Sequence, residues 1–209
     1  MNTRILLGIL ILNLNLSAWD LAKSKDGITI YTRAVEGSNL KEFKAITQVK
    51  STLPALIALL KDEASFPEWY PDNKSAKILK EFSPSDWIIY FHIGAPFPVS
   101  DRDMNNRFTI TQNPKNKAVN ISLSTDPKFI PEKSGLIRIP KLKGYWQFTP
   151  NDETGTVEII YQLHSEPGGS IPDFLANSAV TDSPFKVLTN LKKIIQKEKY
   201  QTAKFDFIK

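Results

Sequence analysis

The chain has 209 residues, of which 41% are hydrophobic, and this suits one medium-sized globular domain with a substantial core. Its net charge of +5 fits an anionic surface as a partner, but basic residues do not form a stripe interleaved with aromatic ones, so nucleic-acid binding is not predicted. The sequence contains no cysteine, which excludes disulfides, lipobox lipidation, and thiolate metal sites or nucleophiles.

The first residues are typical of an export signal. Arg4 precedes a mostly apolar run over residues 5–16, and the small residue Ala18 follows. We therefore predict a signal peptide over residues 1–18, cleaved after Ala18, and a periplasmic or secreted domain over residues 19–209. An uncleaved anchor is the alternative, although Asn13 and Asn15 interrupt the apolar run.

In the first third of the domain, the predicted structure changes from a helix to alternating strands and then back to a helix. Residues 19–25 are predicted as a brief helix that ends at the turn pair Asp26-Gly27, and alternating strands are predicted over residues 27–33 and 40–49. A helical period then begins after Thr52, a suitable N-cap. The aromatic segment 66–72 is interpreted as part of the core in preference to a ligand-binding box.

The rest of the chain is predicted to form strands, two loops and one long helix. Strands are predicted over residues 76–82, 87–93, 102–111, 118–123, 136–139, 144–148 and 156–164. Proline-bearing loops are predicted over residues 94–101 and 126–135. After the turn Gly168-Gly169, apolar residues recur with helical spacing from Pro172 to Lys197.

This order of elements predicts an α+β fold in which a curved antiparallel sheet wraps around a long C-terminal helix. One helix cannot fill a strongly bent sheet completely, so we expect a lengthwise apolar cavity between them.

Few residues suggest catalysis. The two histidines, His92 and His164, lie far apart and lack the convergent ligands that a metal needs. Arg102 and Asp103 point to opposite faces of a strand, and we expect each to orient one of the flanking loops. Arg138 stands alone on an apolar strand. It meets either a lipid phosphate or a structural carboxylate, and we favour the carboxylate.

Four blocks of the sequence resemble, in order, those of the START (StAR-related lipid transfer) domain family. They lie at residues 19–33, 96–103, 134–138 and 167–177. The resemblance implies a helix-grip fold with an internal tunnel for one phospholipid or related lipid, closed by the last helix and the two loops. It also implies lipid transfer without catalysis, metal or cofactor. Phe108 stands where similar sterol-binding members have an arginine, so an arginine-held sterol is not implied.

The predicted ligand-binding residues are those expected to line this tunnel: Ile89, Phe91, Met104, Phe108, Arg138, Trp146, Phe148, Tyr161, Leu163, Phe174, Leu175 and Ser178. Transient contact with a membrane surface is expected at the loop tips Phe97, Val99, Phe129 and Ile130. Lysines 192, 193, 197 and 199 either attract anionic headgroups or form the solvated face of the helix. We expect a monomer.

Two other function classes remain open. A helix-grip enzyme of the cyclase or hydrolase type, acting on a small hydrophobic substrate, needs a buried acid/base pair. His92 with Asp103 is the candidate for that pair. A sensor that keeps its lipid is the third interpretation.

Overall fold

The computed structural model describes residues 18–209, without the side chains of residues 173–175. The predicted signal peptide therefore lies almost wholly outside the described residues. The strands are β1 (Asp20–Lys25), β2 (Ile28–Arg33), β3 (Glu42–Lys50), β4 (Asn73–Ser83), β5 (Asp86–Ile93), β6 (Arg102–Gln112), β7 (Val119–Thr125), β8 (Ile137–Arg138), β9 (Lys141–Asn151) and β10 (Thr156–Glu166). The α-helices are α1 (Leu53–Lys61), α2 (Phe66–Trp69), α3 (Asp173–Ile194) and α4 (Glu198–Gln201), and a short 3₁₀ turn (Glu63–Ser65) precedes α2.

The strands form one sheet in the order β1-β2-β3-β10-β9-β7-β6-β5-β4. Neighbours in this order are antiparallel, and β8 adds a short parallel pairing to the start of β6. Helix α3 packs on β2, β3 and α2. The predicted α+β class and the sheet with its C-terminal helix are confirmed. None of the helices in the described part is long and apolar enough to cross a bilayer.

The first element is a strand, so the helix predicted over residues 19–25 is wrong. Asp26 and Gly27 both have positive φ, at 54° and 71°, which is the geometry of a two-residue hairpin turn. This turn pairs Lys25 with Ile28 and lays β1 along β2. Most side chains of β1 are exposed, including Leu21, so the strand lacks the apolar alternation that marks a half-buried one.

Helix α3 is buried along only part of its length. From residue 176 to 183, the front half of α3, none of the residues is buried. From residue 184 to 194, the rear half, Pro184, Val187, Leu188, Leu191 and Ile194 are buried. The helix continues through Pro184. The rear half therefore anchors α3 to the sheet, while the front half lies over it with little burial.

We predict that alanine substitutions on the two halves of α3 differ in cost. Val187 is 0% exposed, whereas Val180 is half-buried. Val187→Ala should lower the free energy of unfolding by about 2 kcal/mol, and Val180→Ala by less than about 1 kcal/mol, because less apolar surface is lost. Urea denaturation measures both values, and equal costs would contradict the asymmetric anchoring.

Candidate functional site

The described residues enclose a cavity of about 20 Å³ between the sheet and the segment of α1 and α2. The lining comes from Leu60, Phe66, Trp69, Tyr70, Phe91, Met104, Asn106, Phe108, Leu123, Leu142, Trp146, Tyr161 and Leu163. A space of this size holds roughly one water molecule.

Aromatic packing keeps this space small. The rings of Trp146 and Tyr161 stack with centroids 3.8 Å apart, and Phe66 meets Phe91 edge to face at 4.8 Å. The lengthwise tunnel predicted from the sequence is therefore not open here, because side chains from the sheet and from α2 meet across it. A ligand larger than one water needs these rings to separate.

Six of the predicted tunnel residues line the cavity: Phe91, Met104, Phe108, Trp146, Tyr161 and Leu163. Ile89 and Phe148 are buried in the core but are not part of the lining. Ser178 is exposed, so its placement in the wall is wrong; it lies in the poorly buried front half of α3. The side chains of Phe174 and Leu175 lie outside the described part.

The sequence analysis missed several lining residues. Trp69 and Tyr70 belong to the aromatic segment that was assigned to the core. They pack in the core and also line the cavity. Asn106 alternates along β6 with Met104 and Phe108, so its position on the inner face could have been predicted from strand periodicity.

The cavity contains a pair of tyrosine hydroxyls. Tyr70 Oη and Tyr161 Oη lie 2.9 Å apart. Burial raises the pKa of both phenols, that of Tyr161 well above its ordinary value. Both hydroxyls therefore remain neutral at physiological pH and act as hydrogen-bonding groups.

Arg138 forms a buried ion pair on the other face of the sheet. Its Nε and Nη2 donate to the two carboxylate oxygens of Asp103 at 2.7 and 2.9 Å. Its guanidinium also donates to the carbonyls of Pro127, Ile130 and Pro131 in the second loop. The hydrogen bonds that Arg138 donates to Asp103 raise the pKa of Arg138. The structural carboxylate is confirmed as the partner, and the placement of Arg138 in the tunnel wall is wrong because β6 directs Asp103 away from the cavity.

Arg102 connects the first loop to the start of α3. Its guanidinium donates to the carbonyl of Ser100 and, at 3.3 Å, to that of Gly168. Beside it, the Ile137 N–H donates to the carbonyl of Asp101 at 3.0 Å, which joins the two loops. The prediction that Arg102 and Asp103 each orient one flanking loop is confirmed, and both loops meet the glycine turn at one end of the molecule.

The glycine turn needs glycine at both positions. Gly168 and Gly169 have φ of 66° and 62°. A Cβ on Gly169 would lie 2.7 Å from Cδ1 of Ile137. An open surface cleft of about 520 Å³ adjoins this turn, between the β2–β3 connection and the first described side chains of α3.

Asp101 fixes the base of the first loop. Its carboxylate accepts hydrogen bonds from Lys74 Nζ at 2.6 Å and the Ala95 N–H at 3.0 Å, and it lies 2.7 Å from His92 Nε2. These contacts, led by Lys74, lower the pKa of Asp101 strongly. His92 therefore pairs with Asp101 and not with Asp103, and it lies on the face opposite Phe91, so the acid/base pair considered for an enzyme does not form.

The comparisons with known proteins agree with this architecture. The model of the START domain matches residues 11–201. The chain belongs to the START domain family. A STAR-related lipid transfer protein from Xanthomonas axonopodis superimposes with a TM-score of 0.80 at 35% identity, covering 86% of this chain and 99% of that one. An uncharacterised protein of Pseudomonas aeruginosa is 37% identical over 86% of this chain and 87% of its own length. The phosphatidylcholine transfer protein of Bos taurus is 26% identical over 88% and 86%.

The loop tips of this START domain differ in exposure. Phe97 is 98% exposed at the tip of the first loop. Val99, Phe129 and Ile130 are half-buried. Phe97 is thus the most prominent apolar side chain at the end of the domain where the loops and the glycine turn meet.

The lysines considered for headgroup attraction lie at the other end of the START domain. Lys192, Lys197 and Lys199 contact the Asp26 carbonyl, Glu68 and Asp62, respectively. Lys192 lies in the rear half of α3, and Lys197 and Lys199 come just after this helix. The helix has 22 residues and is therefore about 33 Å long. They do not share a surface with Phe97.

We predict that the Arg138–Asp103 pair is essential for folding of this START domain. Arg138→Met should lower the free energy of unfolding by about 3–5 kcal/mol, since it leaves Asp103 charged in the interior and three loop carbonyls unpaired. Arg107→Met is the matched control. Arg107 also pairs bidentately, with Asp86, but its side chain is 47% exposed, so its loss should cost about 1 kcal/mol or less. Similar costs in urea denaturation would contradict this assignment.

Proposed function

We propose that the protein binds one lipid molecule in its internal cavity and carries it between membranes. Membership of the START family supports this function. The observation that carries it is the apolar, aromatic cavity between the sheet and the segment of α1 and α2, next to a helix α3 that packs on α2 and is buried only in its rear half. The phosphatidylcholine transfer protein that matches over most of its length makes a phospholipid the first class of ligand to test.

The driving force for binding is burial of the acyl chains. Each CH₂ group transferred into an apolar interior contributes about 0.8 kcal/mol, so a chain of ordinary length offsets the cost of leaving the bilayer. Because the cavity is about 20 Å³, binding requires that the aromatic rings separate and that one of the segments packed around them moves.

We assign this movement to the front half of α3. Its described contacts with the β2–β3 connection are two exposed hydrogen bonds of Asn177, from the Lys41 N–H at 3.0 Å and to the Asn39 carbonyl at 3.2 Å. Exposed hydrogen bonds exchange with water at little net cost. The glycine turn before the helix supplies the hinge, and the adjoining cleft supplies a route for the lipid.

A crosslink across this contact should stop transfer. The chain has no cysteine, so Lys41→Cys combined with Asn177→Cys gives a single defined disulfide between the front half of α3 and the β2–β3 connection. We expect the oxidised double variant to lose at least about 90% of its rate of fluorescent phosphatidylcholine transfer between vesicles, and to regain it on reduction, because the lid opens only when released.

The two single-cysteine variants, treated in the same way, are the controls and should keep their activity. A disulfide-bonded protein that transfers lipid at the full rate would contradict the assignment of the lid.

The exposed first loop is the proposed contact with the membrane. Phe97 stands at the end of the domain where the lid hinges, and a phenyl ring placed in the interfacial region of a bilayer is stabilised by burial of its apolar surface. Docking this end would bring the membrane to the cleft beside the glycine turn.

We predict that Phe97→Asp reduces the fraction of protein that co-sediments with vesicles several-fold, because it replaces an inserting ring with a charge. Phe82→Asp is the control: Phe82 is also exposed, but it lies near the β4–β5 turn, at the opposite end of β5. Vesicle binding that is unchanged by Phe97→Asp, or reduced equally by both substitutions, would remove the loop from the docking surface.

Catalysis is not proposed. The lining of the described cavity contains no carboxylate, histidine or lysine, and its only titratable groups are two tyrosines with raised pKa values. We further propose that residues 1–18 direct export, on the basis of the apolar N-terminal run, and that the domain acts as a monomer.

A further inference from the structure

Asn106 is a buried polar side chain on the cavity wall. It is 3% exposed and shares the inner face of β6 with Met104 and Phe108, which also line the cavity. Its Nδ2 contacts the Met104 sulfur at 3.3 Å, a weak hydrogen bond. Its Oδ1 is buried and has no hydrogen-bond partner within the described part of the protein.

A buried, unpaired oxygen destabilises the folded state unless a hydrogen-bond donor binds to it. An amide oxygen taken from water without a partner destabilises the folded state, and buried polar groups in proteins are almost always paired. A valine or leucine at position 106 would suit both the strand and its apolar neighbours. The unpaired oxygen therefore points to a partner that enters the cavity.

The cavity lining also contains hydrogen-bond donors that lack an acceptor among the described residues. In the Tyr70–Tyr161 pair one hydroxyl donates to the other, which leaves the second O–H free to donate. The indole Nε1–H of Trp69, another lining residue, is likewise buried without a partner among the described residues. The lining thus supplies one free acceptor and at least one free donor, and a hydroxyl group can pair with either of them.

The charge of the partner follows from the lining. The described residues around the cavity include no charged side chain, and a phosphate or ammonium buried there would lack a counter-charge. A neutral hydroxyl meets no such penalty.

We propose that Asn106 forms a polar subsite that recognises an uncharged hydroxyl group of the bound lipid, in a lining that also offers the free donor of the Tyr70–Tyr161 pair. This inference rests on the proposed function. It assigns the part of the cavity beside Asn106 to a hydroxyl-bearing neutral lipid, of which a diacylglycerol is the simplest probe, and it places charged headgroups elsewhere.

Native mass spectrometry after incubation with vesicles tests the subsite. The vesicles contain either 1,2-dioleoylglycerol or the same lipid with its hydroxyl acetylated. The unaltered protein should bind the hydroxyl lipid about tenfold more than the acetylated one, since acetylation removes the donor that Asn106 needs. In Asn106→Leu the two lipids should bind within about twofold of each other, while the melting temperature should stay the same or rise.

Asn120→Leu is the matched control, because Asn120 is exposed on the neighbouring strand β7, and it should keep the tenfold preference. Asn106→Val replaces the leucine variant if that variant does not fold, with the same expected ratio. Binding of both lipids equally by the unaltered protein would overturn the subsite, as expected if a single water satisfies Asn106, yet it would leave lipid carriage intact. Failure to bind any lipid, phosphatidylcholine included, would overturn the proposed function itself.

Discussion

The concave face of the sheet has to be covered by α3, and the two halves of this helix differ in their ability to do so. Val187, Leu188, Leu191 and Ile194 give the rear half a continuous apolar stripe that is buried against the sheet and α2. The front half offers mainly small or polar residues over positions 176–183, and none of them is buried. Stability is therefore concentrated at one end of the helix, and the other end is free to respond to a ligand.

The end of the molecule that carries the glycine turn is, by contrast, firmly attached to the sheet. Asp101, Arg102, Asp103 and Arg138 hold both proline-bearing loops and the glycine turn through charged hydrogen bonds, which are stronger than neutral ones. The weakly buried front half of α3 therefore begins close to the place where the two proline-bearing loops are held on the sheet. Phe97 projects from this fixed frame, so the proposed contact with a membrane would be made beside the proposed lid.

Much of this architecture could be predicted from the residues, because strand alternation is clear in β2, β3 and β10 and helical spacing is clear in α3. The partner of Arg138 followed from the cost of burying an unpaired charge. Strand β1 was missed because its exposed residues carry no alternation, and only pairing across Asp26-Gly27 makes it a strand. The size of the cavity could not be predicted, since whether Phe66 of α2 meets Phe91 of the sheet across the interior depends on three-dimensional packing that no one-dimensional pattern records.

The proposed carriage of lipid by this START domain would depend on unequal opening along α3. Hydrogen exchange of its backbone amides, followed by mass spectrometry with and without lipid vesicles, measures this property directly. We predict that amides of residues 176–183 exchange at least about a hundredfold faster than those of residues 187–194 without lipid, and that bound lipid slows the faster group. Uniform protection along the whole helix, unchanged by lipid, would contradict it.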